Sequence, residues 1–148
     1  MAGLPRVPSK FVGPADAFGI VIPFIEELGV KVESVEPGRV VAVLDVKSAH
    51  SNSWGAPHGG VVMALLDFTM SMAGRGAHAP GSGAVTVEMK TSFIAAGEGR
   101  LTCEGKVAQA GRTLIFCSGE VRDARNKLCA QALGTCEFFA LVESSRGG

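Results

Sequence analysis

Two groups of residues could do chemistry, and they lie close together in the chain. The first is Asp67, the single ionisable side chain in the apolar run VVMALLDFTMSMA at residues 61–73. A carboxylate among such neighbours loses hydration and needs partners to stay charged. It is a candidate general base or nucleophile. The plainer reading is a core Asp held by backbone or a hydroxyl. Ser71 follows four residues later on the same helical face, where its hydroxyl could reach Asp67 or a water beside it. Alternatively it bonds back to its own backbone.

The second group is His58-Gly59-Gly60, where that apolar run should begin as a helix. The first N–H groups of a helix have no internal acceptors, and glycine lets another group come close. The N–H of Gly59 or Gly60 could therefore polarise a carbonyl, with the helix dipole adding to it. One such oxyanion donor is typically worth ~2.7–4 kcal/mol. Glycines here could also serve only to pack the helix tightly, and His58 reads first as a capping or packing residue. Asn52, six residues before His58, could hold a ligand through its amide or make an Asx turn. Trp54 reads as a loop anchor. His50, His58 and His78 lack metal-ligand spacing.

The elements around these groups follow from pattern. Residues 61–73 are too apolar for a surface helix, so the rest of the chain should wrap them. A short helix is expected over 14–28, kinked or split at Pro23 and stopped at Gly29. The runs 30–35 and 40–46, joined by Glu36-Pro37-Gly38, read as a hairpin. Residues 48–57 form a polar loop, and the central helix should fray near 74–76. Beyond Gly81, four strands are expected in meander, with Val85, Val87, Met89 and Phe93 on the apolar face of the first. The fold class is α+β. One domain is expected over 14–140, with a flexible arm at 1–13 and a tail at 141–148.

Composition narrows the function. The chain has 148 residues, 47% of them hydrophobic, with 14 basic and 14 acidic side chains. That balance gives no signature of nucleic-acid binding. No apolar run reaches the roughly 18 residues of a membrane span, and no signal peptide is apparent. A cytoplasmic protein is expected, with Cys103, Cys117, Cys129 and Cys136 as buried free thiols.

Taken together, Asn52, Gly55, His58-Gly59-Gly60 and Asp67 resemble the motif of hotdog-fold acyl-CoA thioesterases. The branch is that of the phenylacetyl-CoA and 4-hydroxybenzoyl-CoA thioesterases. The segment GRTLIFCSGEVRDARNKLCAQALGTCEFF looks like the final strands of that family. The resemblance implies a long central helix wrapped by a curved antiparallel sheet, in homodimers that pair into homotetramers. It implies hydrolysis of an aryl- or short- to medium-chain acyl-CoA, with no metal or redox cofactor. By position, Asp67 would be the catalytic carboxylate and the Gly59 N–H the carbonyl donor. Asn52 would hold the carbonyl or water, with His58 in support. The assisting hydroxyl would be Ser71 or Thr86, since different branches use either place.

The phosphates of CoA call for basic groups near the mouth. Candidates are Lys90, Arg112, Arg125 and Lys127, with Gly60 at the helix start and Arg112 the best placed. Met63, Leu66, Phe68 and Met70 are candidates for the acyl pocket. Gly59 and Asp67 are eight residues apart on one helix, or about 12 Å. Both cannot reach one carbonyl from one chain, so an active site shared across a dimer is expected. The rival readings are a hotdog enoyl-CoA hydratase/dehydratase and a non-catalytic acyl-CoA-binding protein.

Overall fold

The computed structural model describes residues 6–9, 22–78 and 82–143. In chain order the elements are β1 (Arg6–Ser9), α1 (Pro23–Leu28), β2 (Lys31–Glu36), β3 (Arg39–Asp45), α2 (Gly59–Gly76), β4 (Ser82–Phe93), β5 (Arg100–Ala110), β6 (Leu114–Arg122) and β7 (Leu128–Glu143). A single 3-10 turn at Ser48–His50 interrupts the loop before α2. The long α2 is wrapped by a curved sheet, the α+β arrangement that the resemblance implies. No described helix is long and apolar enough to cross a membrane.

Local chemistry sets the ends of the helices. Pro23 was expected to kink α1; instead it opens it, where a missing N–H costs nothing. The expected start of that helix at residue 14 lies outside the described residues. Gly29 closes it at φ 78°, its N–H returning to Glu26 O. The ring of His58 caps α2, Nδ1 accepting from Gly60 N at 2.9 Å. The fraying expected at 74–76 does not occur. Arg75 is buried in the last turn and its Nε donates to Ser82 O at 2.7 Å, tying the helix end to β4.

The sheet runs β4-β7-β6-β5-β3-β2, antiparallel throughout, with β1 added in parallel against residues 140–143. β1 falls within the expected arm at 1–13, and its partner residues sit at the expected 140/141 boundary. The meander expected for four strands holds for β5, β6 and β7 alone. β4 pairs with β7, Thr86 opposite Cys136, and not with β5. The six-residue link 94–99 makes this possible by running across the strand ends. The N–H groups of Ile94 and Ala95 both donate to Cys129 O, Ala124 N donates to Glu98 O, and Val46 N donates to Gly99 O. Six extended residues span about 20 Å, enough only because the sheet curls round α2.

β4 also departs from the expected alternation. Its register slips between Thr86 and Glu88, a bulge at Val87. Val85 and Val87 are exposed, and Thr86 opposes Cys136 on the face toward α2. A one-residue insertion exchanges the two faces of a strand, so the apolar residues of this segment do not mark its inner face.

The core forms between α2 and the sheet. Leu65, Leu66, Met70 and Ala73 pack with Val40, Ala42, Leu44, Leu101, Ile115 and Val121. Cys103, Cys117, Cys129 and Cys136 are buried free thiols, as expected. The helix sits low because three strands lack side chains beneath it. A Cβ on Gly105 would lie 2.6 Å from Thr69 O, on Gly119 2.9 Å from Leu66 Cδ2, and on Gly134 3.1 Å from Met70 Cε. Gly105 and Gly119 are direct partners across β5 and β6.

Gly105→Val forces a branched side chain into the helix backbone, which cannot yield as a side chain can. We expect a loss of about 1–3 kcal/mol, the usual cost of overpacking. It would appear as a lower urea midpoint at unchanged slope.

Candidate active site

Asp67 stands midway along α2, with Ser71 one turn further on. Thr86 meets them from β4. The Thr86 hydroxyl donates to Asp67 Oδ1 at 2.5 Å, and Ser71 Oγ lies 3.2 Å from Thr86 Oγ1. Ser71 thus reaches Asp67 through Thr86, and both hydroxyls offered by the sequence belong to one cluster. Thr69, two residues earlier, shows the alternative fate of a helix hydroxyl: its Oγ1 donates to Leu65 O at 2.6 Å.

Asp67 is only half-buried, because it opens onto a cavity of about 410 Å³. Phe68 and Met72 of α2 line it, with Ile22, Phe24 and Ile25 at α1 and Ala84, Val85 and Thr86 on β4. Of the four residues expected to line an acyl pocket, only Phe68 does. Leu66 and Met70 turn to the glycines of the sheet, and Met63 is exposed at the surface. The wall from α1 was missed. Its signal was available in the apolar spacing of Ile22 and Ile25, an inner face on a helix too short to bury itself.

The expected carbonyl-binding group lies elsewhere. Asn52 Oδ1 accepts from the N–H groups of Trp54 and Ala56, at 3.0 and 3.1 Å, and so shapes its own loop. His58 is exposed and caps Gly60. Among the described residues, nothing accepts from the Gly59 N–H. The Phe93 ring covers Gly59 so closely that a Cβ there would lie 3.3 Å from its Cζ. None of Asn52, His58, Gly59 and Gly60 borders the Asp67 cavity. Trp54, expected as a loop anchor, is 88% exposed, and Met63, Phe93 and Ile94 are exposed with it.

The basic candidates also separate. Lys90 is exposed in a groove with Lys106 and Glu104, away from the Asp67 cavity. Arg125 pairs with Glu98 at 3.1 Å and Lys127 with Asp123 at 3.6 Å. Arg112 is exposed in the turn between β5 and β6. It precedes Ile115 by three residues, and Ile115 opposes Cys136, which opposes Thr86. Arg112 is therefore the basic candidate at the strand end nearest the cluster.

Sequence reasoning treated Cys136 as plain core. In the fold its Sγ lies 3.9 Å from both Ser71 Oγ and Thr86 Oγ1. Only the pairing of β4 with β7 brings this thiol to the cluster. Among the described residues, no three His, Cys, Asp or Glu side chains group as metal ligands.

Comparison with known proteins places this geometry in a family. The Thioesterase superfamily profile matches residues 55–130, which hold Asp67, Ser71 and Thr86. A Saccharolobus solfataricus protein named as an esterase is 36% identical over 109 residues, covering 73% of this chain and 77% of its own. Acyl-coenzyme A thioesterase 13 of Homo sapiens is 32% identical over 108 residues, covering 69% of this chain and 74% of its own. The crystal structure of zebra fish thioesterase superfamily member 2 superposes with a TM-score of 0.66 at 33% identity, over 73% of this chain and 80% of that one. With its long helix, its wrapping sheet and this matched span, the chain belongs to the Thioesterase superfamily and is a thioesterase of the hotdog fold.

Proposed function

We propose that the protein hydrolyses an acyl-CoA thioester to a carboxylate and free CoA, with Asp67 as the reacting carboxylate. The observation that carries this reading is the Thr86–Asp67 hydrogen bond of 2.5 Å at the wall of an apolar cavity. Thr86 occupies Oδ1, and among the described residues Oδ2 has no partner. Oδ2 is the atom left to take a proton from water or to attack the carbonyl. Either route leads to the same products. Phe24, Ile25, Phe68 and Met72 give the acyl group an apolar seat beside it, fitting an aryl or a short- to medium-chain substrate. The human relative, named an acyl-coenzyme A thioesterase, supports this reading.

The carbonyl donor comes from a second subunit. Gly59 has an N–H without an acceptor among the described residues, yet it lies two helical turns from Asp67. β4 is twelve residues long and, among the described residues, pairs on one side only, with β7. A free edge of that length, bearing exposed Val85 and Val87, is a ready surface for another strand. Exposed Trp54, Met63, Phe93 and Ile94 add apolar surface near the start of α2. In a homodimer built on this edge, Gly59 and Asn52 of one subunit complete the site around Asp67 of the other. Pairing of dimers into a tetramer would then cover Phe116 and Leu133, which are exposed on the outer face of the sheet. Arg112 is the basic residue we assign to the CoA phosphates.

Free CoA released from a panel of short, medium, long and aryl acyl-CoAs, resolved by chromatography, tests the reaction. Asp67→Asn should lower kcat by about 10²–10⁴-fold, the span expected for loss of a general base. Turnover that survives this change would remove Asp67 from the reaction. The shared site has its own test, in mixing inactive Asp67→Asn with inactive Asn52→Ala protein. Exchanged subunits should regain activity in the mixed dimers, whereas exchange without recovery would confine the site to one chain.

A further inference from the structure

The hydroxyl cluster at Asp67 does not end at Ser71. A hydroxyl has one proton to give. Thr86 gives its proton to the Asp67 carboxylate, so toward Ser71 it can only accept. Ser71 therefore donates to Thr86 and, toward Cys136, can in turn only accept. Cys136 lies 3.9 Å from both oxygens, within reach of an S–H donor to sulfur-length limits. Each of these residues has its own fixed seat: Thr86 by the bulged register of β4, Cys136 opposite it on β7, and Ser71 on α2.

We propose that Cys136 completes a one-way hydrogen-bond chain, through Ser71 and Thr86, that holds the Thr86 hydroxyl on Asp67, so that Cys136 is a positioning residue for the reaction. The chain rests on the reading of Asp67 as the reacting carboxylate. Its direction is set from one end, where Thr86 donates to the carboxylate. Successive donors in such a chain polarise one another. Without a donor at residue 136, Ser71 is free to turn its proton elsewhere, and Thr86 loses the partner that commits it to Oδ1. The thiol touches no substrate. It fixes which way two hydroxyls point.

The test uses the full-length protein and compares Cys136→Ala and Cys136→Ser with wild type. Free-CoA release gives kcat and KM, and thermal melting reports the fold. Cys136→Ala should lower kcat about three- to tenfold at unchanged KM, the scale of one hydrogen bond. Cys136→Ser keeps a donor and should recover most of that loss. Equal kcat in wild type and Cys136→Ala overturns the chain. So does an equal loss in the Ala and Ser variants, which would mark a packing role. A second readout is independent of turnover. The infrared S–H stretching component that vanishes in Cys136→Ser should shift in Asp67→Asn. A wild type that hydrolyses no acyl-CoA ends the thioesterase reading itself. The infrared comparison still decides the chain in that case, and an unmoved band overturns it.

Discussion

The depth at which α2 sits in its sheet governs the rest of the molecule. Gly105 leaves room for helix backbone, and Gly119 and Gly134 on the next two strands leave room for Leu66 and Met70, where side chains would otherwise stand. The closest approach is to Thr69 O, between Asp67 and Ser71 in the chain. The same contact that seats the helix therefore sets the height of both polar residues above β4. Protein interiors are packed too closely to absorb an added methyl group without movement. Raising α2 by 1 Å would also take the Thr86–Asp67 contact beyond hydrogen-bond length. Packing at the glycines and geometry at the carboxylate are one constraint.

Asp67 and Asp123 are both withdrawn from full solvation, and their partners differ in kind. Asp123 is buried in the turn between β6 and β7, where its Oδ1 accepts from the N–H groups of Arg125 and Lys127. Burial pushes that carboxyl up, but the backbone donors and Lys127 outweigh it and hold it below the usual range. Backbone donors are fixed, so Asp123 is committed to its turn. Asp67 is met instead by a hydroxyl, which rotates, and beside it lies open space. A carboxylate held this way keeps an oxygen for another molecule. The surface pairs, such as Arg100 with Asp45, are exposed and add little to stability.

Much of this was legible in the chain. The apolar run around Asp67 gave the central helix, alternation gave the later strands, and Gly29 and Gly38 gave the turns. The motif from Asn52 to Asp67 gave the family. What was not legible depended on chain passing out of local register. The bulge at Val87 exchanges the faces of β4, so alternation pointed at Val85 and Val87 and hid Thr86. Thr86 was named only through resemblance. The link 94–99 carries β4 past two strands, a choice no local pattern encodes. That same crossing brings Cys136 beside Ser71, which is why a residue read as core stands in the cluster. Leu66 and Met70 were read as pocket because the glycines that receive them lie 35 or more residues downstream.

The position of β4 in the sheet also fixes the order in which the site can come into being. The hairpins β5–β6 and β6–β7 join neighbours in sequence and close short loops. β4 must wait for β7, the last described strand, fifty residues later in the register of Thr86 with Cys136. During synthesis, Asp67 and Thr86 leave the ribosome before β7 does, and β4 has no partner to seat Thr86 until β7 has emerged. A chain cut short before β7 would own the motif and the central helix, yet it would have no hydroxyl on its carboxylate. Assembly of the cluster is thus tied to the pairing of a distant strand.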